Sequence, residues 1–72
     1  MRLMLIHEEG PRKYYVDQDE NVYVAVAGSR EARLIGRIDW EPEPDQEVIV
    51  IGKYTVDPKT VNGFPPEQIT IP

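Results

Sequence analysis

The sequence predicts an all-β fold for this chain of 72 residues. Short apolar runs rich in Val, Ile and Tyr recur along the chain, and clusters of Gly, Pro, Asp and Asn separate them. Runs of about four to eight such residues bounded by turn residues are typical of β-strands. The seven prolines also disfavour long helices, because proline lacks a backbone donor and clashes with the preceding helical turn.

Six strands are predicted in chain order. They cover residues 1–7, 12–17, 22–27, 33–40, 47–56 and 68–71. The last is expected only at a sheet edge, because Pro65 and Pro66 restrict the segment before it. The number and length of the strands predict one domain over residues 1–72. Its expected architecture is a small five- to six-stranded antiparallel barrel or two-layer sheet, of SH3-like or OB-like size.

Turn residues separate the predicted strands. Turns are expected at residues 8–11, 18–21, 28–32, 41–45, 57–59 and 62–63. Ser29 is predicted to cap a single helical turn that extends to Ala32. Pro42 and Pro44 exclude a strand from the acidic segment, because both remove ladder donors. Asn62-Gly63 is a tight-turn signal, since both residues tolerate positive φ.

The run that begins at Arg33 has a period of two, as expected for a strand with one mostly buried face. One face carries Leu34, Gly36, Ile38 and Trp40, and the other carries Arg33, Ile35, Arg37 and Asp39. Trp40 ends the apolar face and is therefore predicted to lie in the core. On that expectation, the substitution Trp40→Ala would cost about 3 to 5 kcal/mol.

The composition of the chain disfavours several classes of protein function. The chain has 13 acidic and 8 basic residues, so its net charge of -5 favours solubility and argues against a non-specific nucleic-acid binder. It contains no cysteine and one histidine, which disfavours disulfides and zinc sites. No apolar run approaches the roughly 20 residues of a membrane span. We expect a cytoplasmic protein with no cofactor, no metal and no membrane partner.

One polar loop resembles the start of a calcium-binding loop in its spacing. Asp17, Asp19 and Asn21 occupy alternate positions, but the required Gly and Glu are replaced by Val22 and Gly28. The pattern instead favours a hairpin loop whose side chains cap their own backbone.

The evidence for a catalytic motif in the sequence is also weak. His7 is followed by Glu8 and Glu9, but no nucleophile or second histidine accompanies it, so a surface histidine at a strand end is expected. Ser29 lacks a nucleophile-elbow context. The sequence therefore predicts no enzyme, and a carboxylate-based hydrolase is the least favoured alternative.

The predicted hairpin over residues 12–27 carries apolar residues on both faces. If Asp17 pairs with Val22, then Val16 opposes Tyr23 on one face and Tyr15 opposes Val24 on the other. A one-sided sheet should alternate apolar and polar residues, so either the chain covers both faces or a partner covers one. A small domain without disulfides or metal favours oligomerisation.

These features predict a non-catalytic protein-binding module: an adaptor, a subunit of a complex, or a phage-type inhibitor. The partner is another protein or a second copy in a homodimer. The expected interaction surface comprises Tyr15, Tyr23, Val24, Val26, Arg33 and Arg37.

The alternative is an OB-like domain that binds single-stranded nucleic acid. Its aromatic and arginine platform would comprise Arg30, Arg33, Arg37, Tyr14, Tyr15, Tyr23 and Trp40. The acidic net charge favours instead the pairing of these arginines with neighbouring carboxylates.

Overall fold

The computed structural model describes residues 2–58 and 65–72, and over these residues the chain contains seven antiparallel strands and no helix. The strands are β1 (Met4–Glu9), β2 (Arg12–Val16), β3 (Asn21–Val26), β4 (Glu31–Ile38), β5 (Ile49–Ile51), β6 (Tyr54–Asp57) and β7 (Gln68–Thr70). The predicted all-β fold is confirmed. The tight turn predicted at residues 62–63 lies outside the described residues.

The strands form one curled sheet with the shape of a half-barrel. Their order is β1-β2-β3-β4-β6-β5, and β7 pairs with β4 outside that path. On one side of β4, its first residues pair with β7 and its last residues pair with β6. The other side of β4 pairs with β3. The sheet therefore forks at β4, and its two branches cover opposite faces of the β2–β3 hairpin.

A β-bulge at the fork decides which way the β4 side chains face. Val22 pairs with Gly36 and Tyr23 pairs with Leu34, which leaves Ile35 as the extra residue. Gly36 has a φ of 156°, and a Cβ there would collide with the carbonyl oxygen of Asp57. Only glycine allows β6 to approach this closely.

Two apolar clusters occupy the two faces of the sheet. The first contains Tyr14, Val16, Val22, Ile38, Ile51 and Val56, with Ile6, Val24, Ile35 and Tyr54 packed against it. The second contains Tyr23, Ala25, Ala32 and Ile69, with Leu3, Tyr15, Leu34 and Ile71 packed against it. Branch β5–β6 contributes to the first cluster and β7 to the second. Apart from Val26, which is exposed at the end of β3, the apolar residues on both faces of the hairpin are therefore packed by the chain itself.

Two local predictions are wrong. The strand β4 begins at Glu31, so residues 30–32 do not form a helical turn; the Ser29 hydroxyl instead bonds the backbone N–H and C=O of Glu31. The long strand predicted over 47–56 is two strands joined by a turn at Gly52 and Lys53. Gly52 has a φ of 59°, the conformation that glycine supplies at the first position of a tight hairpin turn.

The turn between β1 and β2 and the acidic loop lie where the sequence predicted them, whereas the turn predicted at 57–59 falls partly outside the described residues. Gly10 and Pro11 connect β1 to β2. The acidic segment over residues 41–45 contains no strand. Residues 68–70 form an edge strand, since β7 pairs only with β4 among the described strands. Among the described residues there is no helix with the length and apolar character needed to cross a membrane.

Candidate functional site: the Trp40 cleft

The register of the β2–β3 hairpin differs by one residue from the prediction. Tyr15 pairs with Tyr23, and Tyr14 pairs with Val24. The connection is a three-residue loop closed by Asp17, whose N–H donates to the carbonyl of Asn21 at 3.1 Å. The predicted loop was one residue longer, and a change of one residue in the loop shifts every pair in the hairpin.

The six residues of the predicted interaction surface do not form one surface. Tyr23 is fully buried in the second cluster, and Tyr15 packs against that cluster. Val24 packs against the first cluster on the opposite face. Tyr23 therefore contacts no partner while the domain stays folded.

The other residues of the predicted interaction surface are also separated from one another in the sheet. Val26 is exposed at the end of β3. Arg33 pairs with Val24 and Arg37 pairs with Asn21. Because paired residues lie on the same face, the bulge places the two arginines on opposite faces of the sheet. The prediction that they share a face is wrong. This separation also divides the predicted arginine platform for nucleic acid.

Asp17 organises the loop between β2 and β3 from a buried position. Its Oδ1 accepts hydrogen bonds from the backbone N–H groups of Asp19 at 2.8 Å and Asn21 at 3.0 Å. Its Oδ2 accepts from Asn21 Nδ2 at 3.0 Å and from the Tyr23 hydroxyl at 3.4 Å. The self-capping loop predicted from the sequence is confirmed. Both oxygens of Asp17 thus accept hydrogen bonds from its own loop and from β3.

The neighbourhood of Asp17 changes the ionisation of Tyr23. Burial of the phenol, followed by the negative charge and hydrogen bond of Asp17 and the charge of Asp19, raises the pKa of Tyr23 to about 12. All of these causes disfavour the phenolate. Tyr23 therefore serves as a neutral hydrogen-bond donor within the fold.

The predicted core position of Trp40 is wrong, because its side chain is 67% exposed. Strand β4 ends at Ile38, whose N–H donates to the carbonyl of Glu20 at 2.9 Å, and one further backbone bond joins the N–H of Asp39 to the carbonyl of Thr55 at 2.9 Å. Beyond it, the carboxylate of Asp39 accepts from Glu41 N–H and from Gln46 Nε2, which turns the chain away from the sheet. Trp40 consequently lies on the rim of the half-barrel.

Although exposed, the Trp40 ring is held on two sides. Its Nε1–H donates to Glu20 Oε2 at 2.7 Å. Its ring meets that of Tyr54 edge to face, with centroids 6.1 Å apart and an interplanar angle of 63°. Glu20 has a φ of 66°, and it is the only non-glycine residue with positive φ in the described part of the chain. The left-handed conformation is the one that a three-residue hairpin loop usually has at its last position.

A cleft of about 200 Å³ opens beside this ring. It is lined by Met4, Ile6, Val16, Asp17, Glu20, Ile38, Trp40 and Tyr54. We call this feature the Trp40 cleft. A wider depression of about 460 Å³ adjoins it and shares Met4, Val16 and Asp17 with it. The cleft thus combines an apolar floor with aromatic and carboxylate groups at its margin.

The sequence pattern missed Glu20, Met4 and Tyr54 as site residues. One signal for Trp40 was present: Pro42 and Pro44 follow it closely, so the strand had to end near the indole. The positions of the other side chains depend on strands that meet only in the folded sheet. Among the described residues, no group of three or more His, Asp or Glu side chains is arranged to hold a metal ion.

Comparisons with models of protein families, with curated proteins and with solved structures find no match to this chain. Function is therefore inferred from the geometry and chemistry of the Trp40 cleft.

Proposed function

We propose that this chain is a non-catalytic protein-binding module that contacts its partner through the Trp40 cleft. The observation that carries the proposal is the exposure of Trp40, whose ring is nevertheless oriented by Glu20 and Tyr54. Tryptophan is enriched among the residues that dominate binding energy at protein interfaces. A side chain that is already oriented loses little conformational entropy on binding, which favours affinity.

The size of the cleft supports a protein side chain as its occupant. Sites for drug-sized ligands and cofactors usually enclose about 300 to 1,000 Å³. The Trp40 cleft by itself, at about 200 Å³, is smaller than that range, and the adjoining depression of about 460 Å³ extends the surface available to a partner beyond it. Met4 adds further exposed apolar surface to its margin. A partner could insert one side chain into the cleft and pack the flanking residues against Met4.

The test is affinity capture followed by reconstitution. Tagged wild-type protein, Trp40→Ala and Val26→Ala are used to capture proteins, and each captured protein is then purified and its binding measured by calorimetry. Val26 is a matched control, since it is a well-exposed apolar residue that does not line the cleft. We expect a partner that binds wild type and Val26→Ala equally and binds Trp40→Ala at least tenfold more weakly.

Two results would contradict the proposal. A purified partner that tolerates Trp40→Ala but not Val26→Ala would place the interface at the end of the hairpin. Catalytic turnover of a captured substrate would replace the binding function altogether. Sedimentation of wild type and Trp40→Ala over a concentration series shows whether the partner is a second copy of this chain.

A further inference from the structure

We infer that the Trp40 cleft receives a lysine or arginine side chain from a basic segment of the partner protein. This inference rests on the proposed function and specifies the chemistry of the partner. It combines the charge around the cleft, the second carboxylate oxygen of Glu20 and the exposed surface of the Trp40 ring.

Carboxylates outnumber basic groups around the cleft, where Lys53 lies beside the Tyr54 ring and Arg2 lines the adjoining depression. Residues 39–47, which include Trp40, contain five carboxylates and no basic residue. Asp17 and Glu20 add two further carboxylates to the lining of the cleft. Such a concentration of negative charge attracts a basic segment and repels nucleic-acid phosphates. It also disfavours a second copy of the chain, whose own net charge is -5.

Glu20 retains an acceptor for the incoming cation. Its Oε2 accepts the indole N–H of Trp40, while Oε1 accepts no hydrogen bond from the described residues. The same carboxylate can therefore orient the ring and bind a charged donor. Arginine and lysine form their strongest hydrogen bonds with ionised acceptors of this kind.

The aromatic rings provide the second element of recognition. A cation over the face of an indole is attracted by the ring quadrupole, and Trp gives the strongest such interaction. The protein already places Lys53 Nζ 5.6 Å from the centroid of the Tyr54 ring. The Trp40 ring is mostly exposed, so part of its surface is accessible to a cation of a partner.

The chain contains a single tryptophan, which makes its fluorescence and its indole N–H signal in NMR direct reports on the cleft. Capped hexapeptides that alternate Ala with Arg, or Ala with Lys, are titrated at low salt. The matched peptides contain citrulline or norleucine at the same positions. We expect the basic peptides to bind at least tenfold more tightly than the neutral ones and to shift the indole signal.

Two variants test whether the charge of Glu20 is responsible for binding of the basic peptides. Glu20→Gln keeps an acceptor for the indole N–H but removes the negative charge, and we expect it to weaken binding of the basic peptides about fivefold to tenfold. Glu31→Gln is the matched control, because Glu31 is exposed at the opposite end of β4 from the cleft. It should change the affinity less than twofold.

The outcomes separate this inference from the proposed function. Equal binding of basic and neutral peptides, or unchanged affinity in Glu20→Gln, overturns the inference. If a purified partner still requires Trp40 but is not displaced by the basic peptides, the inference fails and the proposed function stands. A single-stranded oligonucleotide that shifts the indole signal more strongly than the peptides would overturn both.

Discussion

Two carboxylates in the same loop hold aromatic side chains in opposite environments. Asp17 is buried and accepts the hydroxyl of Tyr23, which is itself completely buried. Glu20, three residues later, accepts the indole N–H of Trp40 at the rim, where the ring is mostly exposed. The sequence pattern predicted the reverse: a surface role for Tyr23 and a core role for Trp40.

The difference shows that the polar end of an aromatic side chain contributes to its placement. Tyr and Trp need a hydrogen-bond partner when their polar atoms are removed from water. In the hairpin, that partner is a buried carboxylate whose other hydrogen bonds come from the loop backbone and from the side chain of Asn21. At the rim, the partner is a carboxylate that solvent still reaches. The first arrangement contributes to stability, and the second orients a surface for binding.

Truncation of the two aromatic side chains should give the largest difference in stability between the two regions. We expect Tyr23→Ala to cost about 3 to 5 kcal/mol, because it removes a fully buried ring and leaves a cavity. Trp40→Ala should cost about 1 kcal/mol or less, because its ring is exposed and one hydrogen bond is lost. Urea denaturation followed by circular dichroism measures both. Comparable losses in the two variants would show that the regions do not differ in this way.

The pH dependence of stability should differ between the two regions. Because the pKa of Tyr23 is about 12 in the folded state and about 10 when unfolded, its stabilising contribution is complete below pH 10. The contribution decreases as pH rises from 10 to 12, by about 1 to 3 kcal/mol in total. Chemical denaturation measures the free energy of unfolding at pH 8 and at pH 11.5. The decrease between the two pH values should be smaller in Tyr23→Phe than in wild type. Identical losses would exclude the buried phenol as their source.

The smallest expected effect on stability comes from relaxing the strained residue at the rim. In Glu20→Gly, the gain from an unstrained positive φ offsets the lost hydrogen bond to Trp40, so the net change should be within about 1 kcal/mol. The anisotropy of Trp40 fluorescence should fall, since the ring loses its acceptor. Glu20→Gln, which keeps an acceptor, should preserve the anisotropy. Equal anisotropy in both variants would show that Glu20 does not orient the indole.

Local chemistry predicted much of the fold from the sequence alone. The β-rich apolar runs determined the strand class. Gly10 and Pro11 determined the first turn, and the prolines of the acidic segment kept it outside the sheet. Asp17 determined the capping of its own loop, because its partners lie two and four residues away. Each of these features depends on neighbours in sequence and on the conformational limits of single residues.

The orientation of the β4 side chains and the position of the candidate site depend on tertiary structure and not on local sequence. The bulge at Ile35 reverses the faces of β4, and it depends on how β6 approaches Gly36. Trp40 lies at the rim because the chain leaves the sheet after Asp39, whose N–H makes the last backbone bond to β6. Its contacts with Glu20 and Tyr54 join positions 14 to 20 residues apart in the chain. A period-two pattern carries no information about bulges or strand order, since both arise from the packing of segments distant in sequence.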